Sequence, residues 1–159
     1  MKKYEFTGET KEIRLLFRTA TLHRIRATVA FGIVEVGDLG GWIEKEENLS
    51  HEGKAWVCGD AKVCGDAEVW GNAEVFSASH VLVIGAIGSR NDFTTFYRDK
   101  DNEITVKCGC FLGKIDRFLE KVTQTHGDSK YALVYRAAVE VAKLQIDLSG
   151  EAPKDADEE

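Results

Sequence analysis

A six-residue period through the middle of the chain constrains the fold more than any other feature. From Gly53 the sequence reads GKAWVC, GDAKVC, GDAEVW and GNAEVF, then more loosely SASHVL and VIGAIG, so that six units fill residues 53–88. Val57, Val63, Val69, Val75, Val81 and Ile87 hold one column of the repeat. Ala55, Ala61, Ala67, Ala73, Ser79 and Gly85 hold a second, always small. Gly-Asp or Gly-Asn opens the second to fourth units, and these residue types accept turn conformations that others resist. Within Ala61-Lys62-Val63-Cys64 side chains alternate, so Ala61 and Val63 share one face while Lys62 and Cys64 share the other. Short strands broken by a turn at every unit wind; they do not lie flat.

The pattern aliphatic-x-x-x-small-x resembles the hexapeptide repeat of left-handed parallel β-helices, in which three units make one triangular coil. That resemblance implies stacking of residues 18 apart: Val57 on Val75, Val63 on Val81, and Val69 on Ile87. A further, irregular coil is expected at Ile33–Ile43, with Glu44–Ser50 projecting from it as a charged loop. The expected architecture is mainly β with C-terminal helices. N-terminal strands over 1–28 cap a short left-handed parallel β-helix of about three coils over 29–90. A β-hairpin and two helices come next over 91–148, then a disordered acidic tail over 149–159.

Two outward columns flank the buried one. Trp56, Lys62, Glu68, Glu74 and His80 are mostly polar, whereas Cys58, Cys64, Trp70, Phe76 and Leu82 are all apolar. A solvated wall does not carry such a column, so either the chain's own flanking segments cover it or a subunit or partner does, with Trp70 and Phe76 as its largest anchors.

In the flanks, Tyr4–Phe6, Leu15–Phe17 and Leu22–Arg26 read as strands. Lys11, Arg14, Arg18, Arg24 and Arg26 form the sole basic stripe, either an anion site, with Arg24 and Arg26 as candidate ligands, or a charge-protected strand edge. Asp92–Arg98 and Glu103–Cys108 are β-rich runs joined by the turn sequence Asp99–Asn102. Ile115, Phe118, Leu119 and Val122 have helical spacing, ended by Gly127. A second helix, capped by Asp128 or Ser129, is expected to present Leu133, Ala137, Val141 and Leu144 and to run to about Leu148.

Chemistry-bearing residues are sparse. The sequence has four cysteines, and packed free thiols are the default reading for a chain with no apolar leader behind Lys2 and Lys3. Cys108-Gly109-Cys110 with His126 lacks the paired spacing of a zinc site, and no metal or other cofactor is expected. Ser89, Arg90 and Asn91, leaving the last repeat unit, are expected either to cap it or to line a pocket with Cys108 and Cys110, where Arg90 would bind a phosphate or carboxylate. A net charge of −6 argues against direct nucleic-acid binding, and no apolar run is long enough for a membrane span, so a cytoplasmic location is expected. Hexapeptide-repeat acyltransferases use a histidine as general base, for which His51 and His80 are the candidates. The three zinc-binding histidines of γ-class carbonic anhydrases find no matching spacing among His23, His51, His80 and His126.

The run Gly37-Asp38-Leu39-Gly40-Gly41-Trp42-Ile43 through Ser50, the adjoining His51–Val57, Gly88–Asp92 and the Cys-Gly-Cys-Phe segment resemble a group of bacteriophage and prophage hexapeptide-repeat proteins. The likeness covers most of residues 3–145. It implies a non-enzymatic binding protein that antagonises a host defence system by binding a host protein or sequestering a signalling nucleotide, in the host cytoplasm. An acyltransferase-like enzyme and an acidic nucleic-acid mimic are the alternatives. A homo-oligomer, dimer or trimer, is expected in each case.

Overall fold

In the computed structural model, which describes residues 2–15, 17–59 and 61–149, the chain opens with an antiparallel hairpin of β1 (Tyr4–Arg14) and β2 (Thr19–Ala27). Alternation along β2 buries Ala20, Leu22, Ile25 and Ala27. Tyr4 is fully buried, and its hydroxyl donates to the carbonyls of Leu49 at 2.6 Å and Glu46 at 3.0 Å. Desolvation raises its pKa above the usual tyrosine range. The strand expected at Leu15–Phe17 is not formed. Leu15 and Phe17 lie in the turn between β1 and β2, where the Leu15 N–H donates to the Arg18 carbonyl at 2.8 Å; Leu16 lies outside the described residues.

β2 continues the sheet antiparallel to β3 (Leu39–Ile43). The Gly40-Gly41 pair is needed for close approach. A Cβ on Gly40 would lie 2.5 Å from the Ile25 side chain and 2.7 Å from Trp56, and one on Gly41 would lie 2.8 Å from the Ala61 carbonyl oxygen.

The repeat forms three two-residue strands, β4 (Trp56–Val57), β5 (Lys62–Val63) and β6 (Glu74–Val75). Its Val and Ala columns are buried from Ala55 to Val75, forming one core with Tyr4, Ile25, Ile43, Leu49 and Trp56. The expected left-handed parallel β-helix is nevertheless not formed. The sheets run β1-β2-β3-β5 and β4-β6, and among the described residues parallel pairing is confined to β3–β5, β4–β6 and a Leu49–Val69 bridge. Of the three expected stackings only Val57 beside Val75 occurs; Val63 sits beside Ile43 and Val69 beside Leu49.

The departure begins at Ser77. Gly59, Gly65 and Gly71 open their units at φ of 63°, 64° and 68°, in the left-handed region, whereas Ser77 is extended at φ −152° and its side chain accepts from the Ser79 N–H. Without that turn the apolar run beyond it extends as β7 (Val81–Ile87), long enough to pair antiparallel with β8 (Asp92–Arg98). Val81 and Ile87 therefore face Tyr97 and Asp92 across a different sheet.

Glu44–Ser50 does not project. Asn48 and Leu49 are fully buried, and Asn48 Nδ2 donates to the carbonyls of Gly65 at 3.0 Å and Ala67 at 2.9 Å. The segment is a wall of the first core, because Asn48 satisfies carbonyls that would otherwise be buried unpaired.

The second half is a sheet of order β10-β9-β8-β7, with β9 (Ile104–Cys108) and β10 (Phe111–Lys114), antiparallel throughout. α1 (Ile115–His126) lies over β9 and β10, and α2 (Lys130–Gln145) lies over β7. Gly127, at φ 58°, ends α1 by donating its N–H to the Thr123 carbonyl. Phe96, Val106, Phe118, Val122, Tyr135 and Val139 lead this second core.

α2 turns a different face inward from the one its leucines suggest. Ala132, Tyr135, Ala138, Val139 and Ala142 are buried, while Leu133, Val141 and Leu144 are exposed, Leu144 at 88%. The helix carries two apolar stripes, and the alanine-rich one allows closer approach to the sheet. It also stops earlier than expected, because Ile146 turns extended into the core and Asp147 donates its N–H to the Ser79 carbonyl at 3.0 Å. The acidic tail beyond Ser149 lies outside the described residues. Among the described residues no helix is long and apolar enough to cross a membrane.

Candidate functional site

At one end of the second sheet, the β7–β8 turn and the tight β9–β10 turn meet the C-terminal half of α1. Between them lies a cavity of about 230 Å³. Ser89, Arg90, Cys108 and Cys110, four of the residues singled out in the sequence, line it together. Asn91 does not; it holds the turn at φ 48°, with its N–H donating to the Gly88 carbonyl at 3.3 Å. The lining also includes Phe111, Phe118, Lys121, Val122, Thr125, His126 and Tyr135. Phe118, Lys121, Val122 and Thr125 lie along one helix face, so α1 offers the cavity two polar side chains from the edge of its own apolar stripe.

The floor is aromatic. Phe118 meets Phe111 edge-on at 5.4 Å and Tyr135 at 5.6 Å between ring centroids, and His126 stacks on Tyr135 at 5.8 Å. The Cys108 thiol, in the same lining, accepts from Thr94 Oγ1 at 3.4 Å. Desolvation, reinforced by Cys108 and Asp92 and opposed by Arg90, pushes the Tyr135 hydroxyl up to about 12, so it is a neutral hydrogen-bonding group at pH 7. Gly88 makes room for it: at φ 79°, a Cβ there would fall 1.9 Å from Tyr135 Oη.

The mouth is cationic. Arg90 and Lys121 are exposed there, His126 is half-buried in the same lining, and Asp92 is its one carboxylate among the described residues. Because α1 points its negative C-terminal end toward His126, an anion is better placed between Arg90 and Lys121 than deep against the helix end.

A second, polar cleft of about 500 Å³ adjoins this cavity. Trp70 lines it, with Lys45, Glu47, Asp66, Glu68, Asp92, Phe93 and Lys107. Lys107 is buried with its Nζ 4.8 Å from the Trp70 ring centroid and 3.4 Å from Glu68, and it donates to the Gly109 carbonyl.

The other candidates are occupied elsewhere. Phe76 lies under the Arg98 guanidinium at 4.9 Å and beside His80, so β8 covers that part of the apolar column. Leu82 packs into the second core and Cys58 against the first. Much of the basic stripe is paired where it stands: Arg26 binds Glu5 at 2.7 Å, Arg24 reaches Glu9 at 3.4 Å, Arg18 holds Glu44 through two bonds of 2.5 and 2.9 Å, and Lys11 sits 4.0 Å over the Trp42 ring. Arg24 and Arg26 thus each have a carboxylate partner across the hairpin.

His51 Nδ1 accepts from the Lys3 N–H at 3.1 Å with its ring stacked on Tyr4, and His80 Nδ1 accepts from the Phe76 N–H at 3.1 Å. Desolvation lowers the pKa of both. These roles are structural, and neither histidine lines the cavity or the cleft. Among the described residues no group of three His, Cys, Asp or Glu side chains is arranged to hold a metal.

Lys121, Thr125 and Tyr135 were not singled out in the sequence as site residues. The signal that marks the first two is the polar border of the α1 stripe at its C-terminal end. No family model matches the chain, and no curated protein matches it.

Proposed function

We propose that this chain is a non-enzymatic, phage-type binding protein that holds a small nucleotide in the cavity between the second sheet and α1, and thereby sequesters a host defence signal. One observation carries the reading: Arg90 and Lys121 stand at the mouth of a cavity floored by Phe111, Phe118 and Tyr135. Cations at the rim suit a phosphate, and the aromatic floor suits the flat face of a base or the apolar side of a ribose. The likeness of Gly37–Val57 and Gly88–Asp92 to phage and prophage proteins supports the biological setting.

A net charge of −6 gives little long-range attraction for an anion, so recognition rests on these local groups. The acyltransferase alternative gains no support, since His51 and His80 both accept backbone N–H groups. A homo-oligomer belongs to the same proposal, with the exposed Leu133, Val141 and Leu144 of α2 as its support.

Equilibrium dialysis against adenosine and guanosine monophosphates tests the nucleotide reading. Binding that falls about tenfold or more in Arg90→Ala is expected. Absence of binding by the folded wild-type chain contradicts it. Expression of the chain in a host whose defence depends on a nucleotide signal should protect an otherwise sensitive phage, and Arg90→Ala should not. A sedimentation mass equal to the 17.7 kDa chain would remove the oligomer from the proposal.

A further inference from the structure

We infer that the ligand is a dinucleotide, two nucleosides joined through phosphate, whose second base stacks on Trp70 in the cleft beside the cavity. The inference rests on the nucleotide reading of the cavity and extends it to a neighbouring surface. Asp92 and Gly109 line both spaces, so the cavity and the cleft meet at the ends of the β7–β8 and β9–β10 turns. One molecule lying across that ridge reaches both.

Size and charge divide the ligand between the two spaces. The cavity, at about 230 Å³, is smaller than most ligand pockets and leaves space for no more than one nucleoside, whereas the cleft offers about 500 Å³. The cleft carries Glu47, Asp66, Glu68 and Asp92 against Lys45 and Lys107, an excess of negative charge that repels phosphate. The phosphate is therefore held on the Arg90 and Lys121 side. Carboxylates accept hydrogen bonds from the amino groups of adenine, guanine and cytosine, and a tryptophan ring is a sequence-tolerant platform for a base. Lys107, packed against Trp70, salt-bridged to Glu68 and bonded to the Gly109 carbonyl, ties ring, carboxylate and turn into one rigid wall. Each feature separately has a structural use; their convergence on the ridge that bounds the cavity points to a ligand with two bases.

The test is calorimetric titration of the full chain and its Trp70→Ala variant with 5′-AMP, 5′-GMP and the 5′-phosphorylated dinucleotides pApA and pGpG. Loss of one stacked base corresponds to about a tenfold change or more in affinity. The dinucleotides should therefore bind at least about tenfold tighter than the mononucleotides, and Trp70→Ala should remove that advantage while leaving mononucleotide affinity unchanged. Should that variant fail to fold, the wild-type chain still decides. Trp42 and Trp56 are buried, so quenching of tryptophan fluorescence by dinucleotide, and not by mononucleotide, reports on Trp70. Equal affinity for both ligand sizes, with no quenching by either, overturns the inference and leaves the cavity reading standing. Absence of binding by all four ligands overturns both.

Discussion

The two cores are built on opposite plans. The first takes its interior from a repeat of Val and Ala, with Val57, Val63, Val69 and Val75 and the neighbouring alanines all buried. Side chains of two sizes alternating at a fixed period fill space uniformly, leaving little freedom in how they pack. The second joins a four-stranded sheet to two helices through Phe96, Phe111, Phe118 and Tyr135, large rings of different orientation. Where such layers part company at the end of the sheet, a cavity remains, and it is lined by turns and a helix end. Repetition fills the first core, and the candidate site lies in the half of the molecule that follows its breakdown after Val75.

That contrast gives its largest effect in the first core. Val57→Ala or Val75→Ala should each cost about 2 kcal/mol in urea unfolding, and the double variant less than the sum, because the two residues are paired and share their neighbours. Nucleotide affinity of the folded fraction should not change. A parallel loss of affinity would mean that the two cores are not separate in function.

Gly88→Ala lies on the other side of the comparison. A side chain at φ 79° is strained, and the added carbon must displace Tyr135, so about 1–3 kcal/mol of destabilisation is expected together with a changed cavity floor. Unfolding and ligand titration should both register the change. Arg90→Ala separates the two readouts: as an exposed turn residue it should alter stability by less than about 0.5 kcal/mol, while binding falls.

The smallest effect concerns pH. Arg18, by hydrogen bonding, and the Gly65 N–H hold Glu44 at about 2, against the opposing effect of its partial burial. The folded-state value lies below the ordinary 4.5, so the contribution is complete above that pH and is lost as pH falls through about 2. Arg18→Ala should therefore narrow the stability difference between pH 6 and pH 2 in thermal melts. Because Arg18 is largely solvated, the change is small, and a difference that stays the same would show that the pair adds nothing.

Local signals in the sequence were legible, and signals that depend on distant partners were not. The Val and Ala columns announce their burial because period and size are local properties. The closing of the repeat into a helix depends on the residues beyond Val75, where Ser77 stands in place of glycine and the Val81–Ile87 run finds β8 as a better partner. Pairing between distant strands also hid the fate of the basic stripe, since Glu5 comes opposite Arg26, and Glu9 within reach of Arg24, only once β1 and β2 have paired. In α2, leucines outweigh alanines on any hydrophobicity scale, yet the alanines allow close approach and are buried. The cavity is half legible: Ser89, Arg90 and Cys110 sit in turns, and Cys108 at a strand end, at one end of an antiparallel sheet, whereas Tyr135 and Lys121 arrive from helices whose placement is a tertiary fact.

Native mass spectrometry of the chain purified gently from a bacterial host, with nucleotides then added back, tests the central claim most directly. The account predicts a nucleotide-mass adduct on the wild-type chain, retained or restored on addition, and its loss in Arg90→Ala. A bare chain that takes up no nucleotide, or an adduct equally abundant in Arg90→Ala, would contradict it.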